Sequence, residues 1–397
     1  MDGRILGKIV SRITRTLLSA ESKNISRIRS SSCHDDPVHV VNLRSDTFTM
    51  PTPSMKQAMV TTDLGDDVYG EDPTVNKLQE ECAALLGKEA ALLVPTGTMV
   101  LSHCQGHFQE VLLGDQCHIH LYEVGGMSAL AGIHPRSVTN KPDGTLDLAE
   151  LSRKIRNRYD PHYPWTRVIC LENTHNKCGG AVISPDYINQ VRQIADANDL
   201  VMHLDGARLM NAATALGVPP SHITSQFDSI SMCFSKGLSC PVGSILAGSQ
   251  EFIQRALWAR KALGGGMRQA GIIAAPMLIA LHEIVPLLKE DHMRARKIAQ
   301  AVADFGDSSV LTVDMDCVQT NIVMLHVRHS TTSRQMCERL SQVTDEELLA
   351  LGERIQVQML PFTDTAVRFV TYQGITDVDT NKTIKKLKYV LAEKARA

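Results

Sequence analysis

The chain has 397 residues, too many for one small domain, so two domains are the default expectation. Hydrophobic residues make up 43% and charged residues 21%, with a formal net charge of -2, an ordinary globular composition that argues against a nucleic-acid-binding surface. No apolar run approaches the roughly 20 residues that span a bilayer, and 10 scattered cysteines without a CxxC pair read as reduced thiols, not a disulfide framework.

The first stretch differs from the rest. Arg4, Lys8, Arg12, Arg15, Lys23, Arg27 and Arg29 face only Asp2 and Glu21, and Ser30, Ser31 and Ser32 follow. Ile5, Ile9, Ile13 and Leu17 fall every four residues, giving one apolar helical face. Residues 1–38 therefore read as a mitochondrial transit peptide, with a disordered tail on a cytoplasmic protein as the alternative.

Folded structure is expected from about Val38. The stretch "GDDVYGEDP" (65–73) is a loop. Val75, Leu78, Cys82, Leu85 and Leu86 recur at helical spacing, and Gly87 can end that helix. Ala90–Val94 is a buried strand stopped by Pro95, and "PTGT" (95–98) follows it. Val168–Leu171 is a second strand, ending in "ENTHN". Ser184 and Pro185 start a helix with Tyr187, Ile188, Val191, Ile194 and Ala195 inward. Leu200–Leu204 is a strand ending in "DGAR", Ser229–Phe234 one ending at Lys236, and Val242–Ala247 another, followed by a helix through Phe252, Ala256, Leu257 and Arg260. "KALGGGMRQ" (261–269) is a loop. Past residue 310, Ile355, Val357 and Met359 alternate with Gln356 and Gln358, and a last helix runs from about Val378 to Ala395.

Strands alternating with helices predict an α/β fold: a large, mostly parallel sheet flanked by helices, over 39–300. The alternating strands after it predict a smaller C-terminal α+β domain over 301–397. In such open sheets ligands bind beyond the carboxyl ends of the strands, where "PTGT", "ENTHN", "DGAR" and "SKG" all fall.

Lys236 closes a buried strand. A lysine there either snorkels to water or, with its amine freed by burial, forms a Schiff base. Asp205 ends the preceding strand, one strand–helix–strand unit earlier, so the two can meet at the rim. Alone, Asp205 would cap the next turn. With Lys236 it suits the pyridine nitrogen of pyridoxal phosphate, where a carboxylate makes the ring an electron sink. Gly97 and Thr98 alone read as a plain turn; in company with Lys236 and Asp205 they supply the phosphate site that the cofactor needs. His118 and His120 are an HxH pair expected on a strand, with Cys117 beside them; no carboxylate cluster completes a metal site, so one ring is read as stacking on the cofactor. His175 is the candidate to handle a proton.

Taken together, "NLRSDTFTMP", "GDDVYGEDPTVNKLQ", "PTGT", "LENTHN", "HLDGARLMNA", "CFSKGLSCPVGS" and "RKALGGGMRQAG" closely resemble the low-specificity L-threonine aldolases, from about Val41 onward and more weakly after residue 300. The resemblance implies an aspartate-aminotransferase-type, pyridoxal-phosphate-dependent enzyme that cleaves threonine or allo-threonine to glycine and acetaldehyde. It implies that Lys236 carries the cofactor, Asp205 partners its ring nitrogen, Gly97, Thr98 and Arg268 hold its phosphate, and His118 stacks on it. It implies that Ser45, Arg208 and Arg368 grip the substrate carboxylate, with Arg208 also at the cofactor, that His175 stands near the substrate hydroxyl, and that Tyr69 and Tyr122 complete the substrate site. Arg268 and Tyr69 would come from a neighbouring subunit of a homodimer or homotetramer. No metal, nucleic acid or membrane is expected. One departure stands out: after "PTGT" the family continues through an asparagine-containing helix, whereas "PTGTMVLSHCQGHFQEVLLG" runs about one helical turn short. That motivates two alternatives, another lyase or transferase of this fold and a homologue with impaired cofactor binding. A desulfurase would need a mobile catalytic cysteine near the site; Cys240 is close to Lys236 in sequence but follows a short turn, not a long loop.

Overall fold

The protein is described from a computed structural model, over residues 37–97, 107–305, 310–328 and 331–396. Most of the leader, Thr98 and the segment after it lie outside these residues. The described chain opens with β1 (His39–Asn42), then builds a seven-stranded sheet from β2 (Ala90–Val94), β3 (Gln109–Gly114), β4 (His134–Val138), β5 (Trp165–Glu172), β6 (Val201–Asp205), β7 (Ser229–Cys233) and β8 (Ser244–Gly248). Their order is β2-β8-β7-β6-β5-β3-β4. All pairs are parallel except the two made by β8, which runs against both β2 and β7. The carboxyl ends of β2, β5, β6 and β7 thus share one rim, as the alternation of strands and helices predicts.

Local chemistry sets the element ends. Asp72 caps the helix Pro73–Leu86 by accepting the Thr74 and Val75 amides, and Gly87 ends it in the left-handed region at φ 61. Ser184 caps the helix Pro185–Ala197. A second core gathers around β9 (Leu311–Thr312), β10 (Ile322–Val327), β11 (Ile355–Gln358), β12 (Leu360–Pro361) and β13 (Ala366–Val370). β10, β13, β12 and β9 form one antiparallel sheet, while β1 pairs in parallel with β11. Val41 and Leu43 pack into this core with the helix residues Ala295, Ile298 and Val302, so the start of the described chain and its C-terminal part build it together. By length and composition alone the helical stretch Gly271–Ala303 could cross a membrane. Its apolar residues Ala274, Met277, Ala280, Ile284 and Leu288 are buried in the main core instead.

One expected element is different. His118 and His120 do not lie on a strand: β3 stops at Gly114, and His118–Leu121 is a single helical turn. A Cβ at Gly114 would fall 2.1 Å from Asn140 Oδ1, and that oxygen accepts the Gln116 amide at 2.9 Å. The Asn140 side chain thus occupies the space a side chain at position 114 would need and holds the turn that follows β3. The eight described cysteines are all free.

Gly206, just after Asp205, is packed tightest against backbone at the rim: an added Cβ would sit 2.8 Å from the Ser231 carbonyl oxygen, which cannot swing aside. Gly206→Ala should therefore cost about 1–3 kcal/mol, measured as a lowered urea midpoint with an unchanged slope.

Candidate active site

The ends of β6 and β7 border a cavity of about 160 Å³ lined by Gly97, His118, Glu123, His203, Asp205, Ser231, Cys233 and Lys236, among others. Lys236 is pinned through its backbone. Its carbonyl accepts the Thr49 hydroxyl and the Ser239 amide, each at 2.9 Å, and Phe234 just before it exchanges hydrogen bonds with the hairpin backbone at Gly243 and Cys240. The Lys236 Nζ lies 3.6 Å from Cys233 Sγ. Asp205 does cap its own turn, its Oδ1 accepting the Ala207 amide at 3.1 Å. It reaches the same cavity as the lysine, so capping and a ligand role coexist.

His118 stands opposite. Its Nδ1 is 3.0 Å from Glu123 Oε1, and its ring lies 5.3 Å from that of Tyr122. The hydrogen bond with Glu123 is the main cause that raises the imidazole above its ordinary range, against the opposing effect of burial. Ligand atoms of His118, Glu123 and Asp205 lie within 4.8 Å of one another. Carboxylates thus do gather at this histidine, contrary to the sequence reading. Glu123 arrives from the turn after the helix and Asp205 from a different strand, so spacing alone could not show it.

Beside the cavity lies a buried arginine pair. Arg208 grips Asp46 through two hydrogen bonds of 2.7 Å, from Nε and Nη2, with both side chains out of water. Burial alone would raise Asp46; the charge and hydrogen bonds of Arg208, helped by Lys236 and Arg368, hold its carboxyl below the usual range. Arg208 is thereby committed to a protein carboxylate, with only a 3.5 Å contact from Nη1 to Asn176 Oδ1 left over. Arg368, on β13, donates from Nη1 to the same oxygen at 2.7 Å and from Nη2 to the Arg44 carbonyl at 3.2 Å, while its buried Nε has no partner. Burial, then the charge of Arg208, pushes Arg368 down to about 10. Ser45, next to Asp46, accepts the Thr47 amide at 3.2 Å as the cap of a short 3-10 turn.

His175 is buried and does not line the cavity. Its Nδ1 accepts the Cys178 amide at 3.3 Å and its Nε2 has no partner. Tyr69 is 75% exposed, and Arg268 pairs with Asp66 at 3.1 Å; neither lines the cavity of its own chain. Cys240 is buried, its thiol pushed up by burial, and it does not line the cavity either. Thr98 lies outside the described residues, as does the shortened stretch after it.

Pyridoxal phosphate fits these groups. An amine, a carboxylate with one oxygen uncommitted to the turn and an imidazole face a single space. At its Gly97 edge a Cβ would meet Cys233 Sγ at 3.4 Å and Ser244 Oγ at 3.7 Å, and that buried hydroxyl has no partner. Sequence reasoning missed Asp46, Glu123, Glu172, Asn176 and His203. For some a signal existed: His203 and Asp205, like Ser231 and Cys233, sit two apart on their strands and so share a face.

The sequence profile of the beta-eliminating lyases matches residues 42–330. Low-specificity L-threonine aldolase 1 of Arabidopsis thaliana is 42% identical over 350 residues, covering 87% of this chain and 94% of that protein. The low specificity L-threonine aldolase of Escherichia coli K12 is 39% identical over 343 residues, 85% of this chain and 95% of its own. Among solved structures, a threonine aldolase of Leishmania major superposes with a TM-score of 0.70 at 16% identity, covering 88% of this chain and 99% of its own. SPT with PLP superposes at 0.66 and 13%, covering 92% and 90%. At those identities the structures speak to the fold alone.

Asp46 predicts an acid limb in stability. Its carboxyl is lowered by folding, so its contribution is full above the unfolded value of about 4 and is lost as pH falls through the lower folded value. Asp46→Asn should destabilise the protein by about 3–5 kcal/mol at neutral pH by stranding Arg208, and flatten the acid limb in urea titrations run from pH 7 to pH 3.

Proposed function

Because the chain belongs to the beta-eliminating lyases and, within them, to the low-specificity L-threonine aldolases, we propose that it cleaves L-threonine and L-allo-threonine to glycine and acetaldehyde with pyridoxal phosphate. The observation that carries this is the convergence of Lys236, Asp205, His118 and Gly97 on one cavity beside the incompletely paired guanidinium of Arg368.

Bound there, pyridoxal phosphate supplies an electron sink for the pair released when the substrate Cα–Cβ bond breaks. Lys236 would hold the cofactor, Asp205 its ring nitrogen, His118 its ring face, and Gly97 with Thr98 its phosphate. Arg368 binds the substrate carboxylate through the Nε that has no protein partner. Arg208 acts behind it: locked on Asp46, it adds positive charge and shares Asn176 as a common acceptor. Ser45 and Tyr122 flank that end. Cleavage needs the β-hydroxyl proton removed. With Nδ1 of His175 already accepting the Cys178 amide, Nε2 is the ring nitrogen left to carry a proton. His175 does not line the cavity, so it would act through that nitrogen on a water that it orients and that takes the β-hydroxyl proton. The exposed Tyr69 and Arg268, both away from their own cavity, support a homodimer or homotetramer in which each completes a neighbour's site.

The purified protein should be yellow, lose that colour with borohydride and release acetaldehyde from threonine; Lys236→Ala should do none of these. Protein that stays colourless with added pyridoxal phosphate would overturn the reading and favour the impaired-homologue alternative. Arg368→Ala should raise KM for threonine by about 10- to 150-fold, the loss of a charge-assisted carboxylate contact of about 1.5–3 kcal/mol.

A further inference from the structure

Glu172 is the last residue of β5 and is almost fully buried. It stands in register with Asp205 on the parallel neighbour β6, so the two side chains share a face of the sheet. Asp205 reaches the cavity. Glu172 does not line it; its two oxygens are spent on two backbone amides from separate segments. Oε2 accepts the amide of His118, the first residue of the turn that presents the imidazole, at 2.6 Å. Oε1 accepts the amide of Asn176 at 2.8 Å. Asn176 in turn accepts Arg368 Nη1 at 2.7 Å and Arg208 Nη1 at 3.5 Å on one side-chain oxygen.

A carboxylate costs free energy where Glu172 sits. Burial raises its pKa and the neighbouring Asp205 raises it further, while His175, the charge of Arg208 and the two amides oppose this. A neutral side chain would fill the space without that cost but would not accept from both amides. We propose that Glu172 is a positioning residue: its two oxygens fix the ring-facing histidine and the carboxylate-binding arginine relative to each other, coupling cofactor binding to substrate binding. This rests on the aldolase reading above.

Glu172→Gln puts an NH2 against one of the two amide donors, breaking one arm and leaving a buried N–H unpaired. We expect KM for threonine and the Kd for pyridoxal phosphate, titrated into the apoprotein by absorbance, each to rise about tenfold. Hydrogen exchange at residues 118–121 should quicken in the apoprotein. Asn176→Ala should raise KM but leave the cofactor Kd unchanged, and the double variant should have a KM no worse than the larger single effect. Glu172→Asp, which keeps the charge on a shorter stem, should recover part of both constants and serves if the glutamine variant does not fold. A lowered melting temperature with KM and Kd within twofold of wild type would mean a purely structural role and overturn the proposal, as would KM effects of E172Q and N176A that multiply. Should wild type release no acetaldehyde, the aldolase reading falls, and the cofactor titration with the exchange rates still decides whether Glu172 positions His118.

Discussion

The site depends on a buried ion pair between two of the protein's own side chains. Asp46 comes from a turn near the start of the described chain and Arg208 from the loop after β6. The turn carrying Asp46 is stitched to the C-terminal sheet, since the Leu43 carbonyl accepts the Val370 amide at 2.8 Å, two residues along β13 from Arg368. Neither charge is tolerable alone out of water. Holding both therefore requires three distant segments to meet in one arrangement, and Arg368 is placed as a by-product. Replacing the pair with apolar residues could give an equally stable protein, but one without a guanidinium left over.

The division of labour between the two arginines follows from this. Both are buried and close enough to disfavour each other's charge. Arg208 is compensated bidentately by Asp46. Arg368 has only neutral acceptors, Asn176 and a backbone carbonyl, which solvate its charge without cancelling it. On the proposed reading, a substrate carboxylate at Arg368 would supply the missing counter-charge and relieve an electrostatic cost already built into the protein.

How much of this could be read from the chain varies with the type of signal. The large sheet was legible because strands such as Ala90–Val94 and Ser229–Cys233 are short apolar runs with clear stops, and Lys236 and Asp205 were legible because they interrupt such runs at their ends. His118 lies in a helical turn and not on the expected strand, because nothing in the alternation of "CHIHLYE" marks that β3 has already stopped at Gly114. Asp46, Glu123 and Glu172 carry no local mark. An acid in a loop or at a strand end looks like a solvated surface group until its partner is known, and each partner comes from contacts that spacing does not encode.

Strand β8 has a further consequence. Running against its neighbours, it pairs Ser244 with Val94 on one side and Cys233 on the other. The tip of β2, bearing the glycine turn, and the tip of β7, leading to the lysine, therefore stand two inter-strand spacings apart, about 10 Å. Hydrogen-bond pitch thus acts as a ruler between the two ends of whatever lies along the rim. Sliding β8 by a single residue would keep that length yet turn the serine hydroxyl to the opposite face, so span and chemistry at this edge are set by separate features of the same strand.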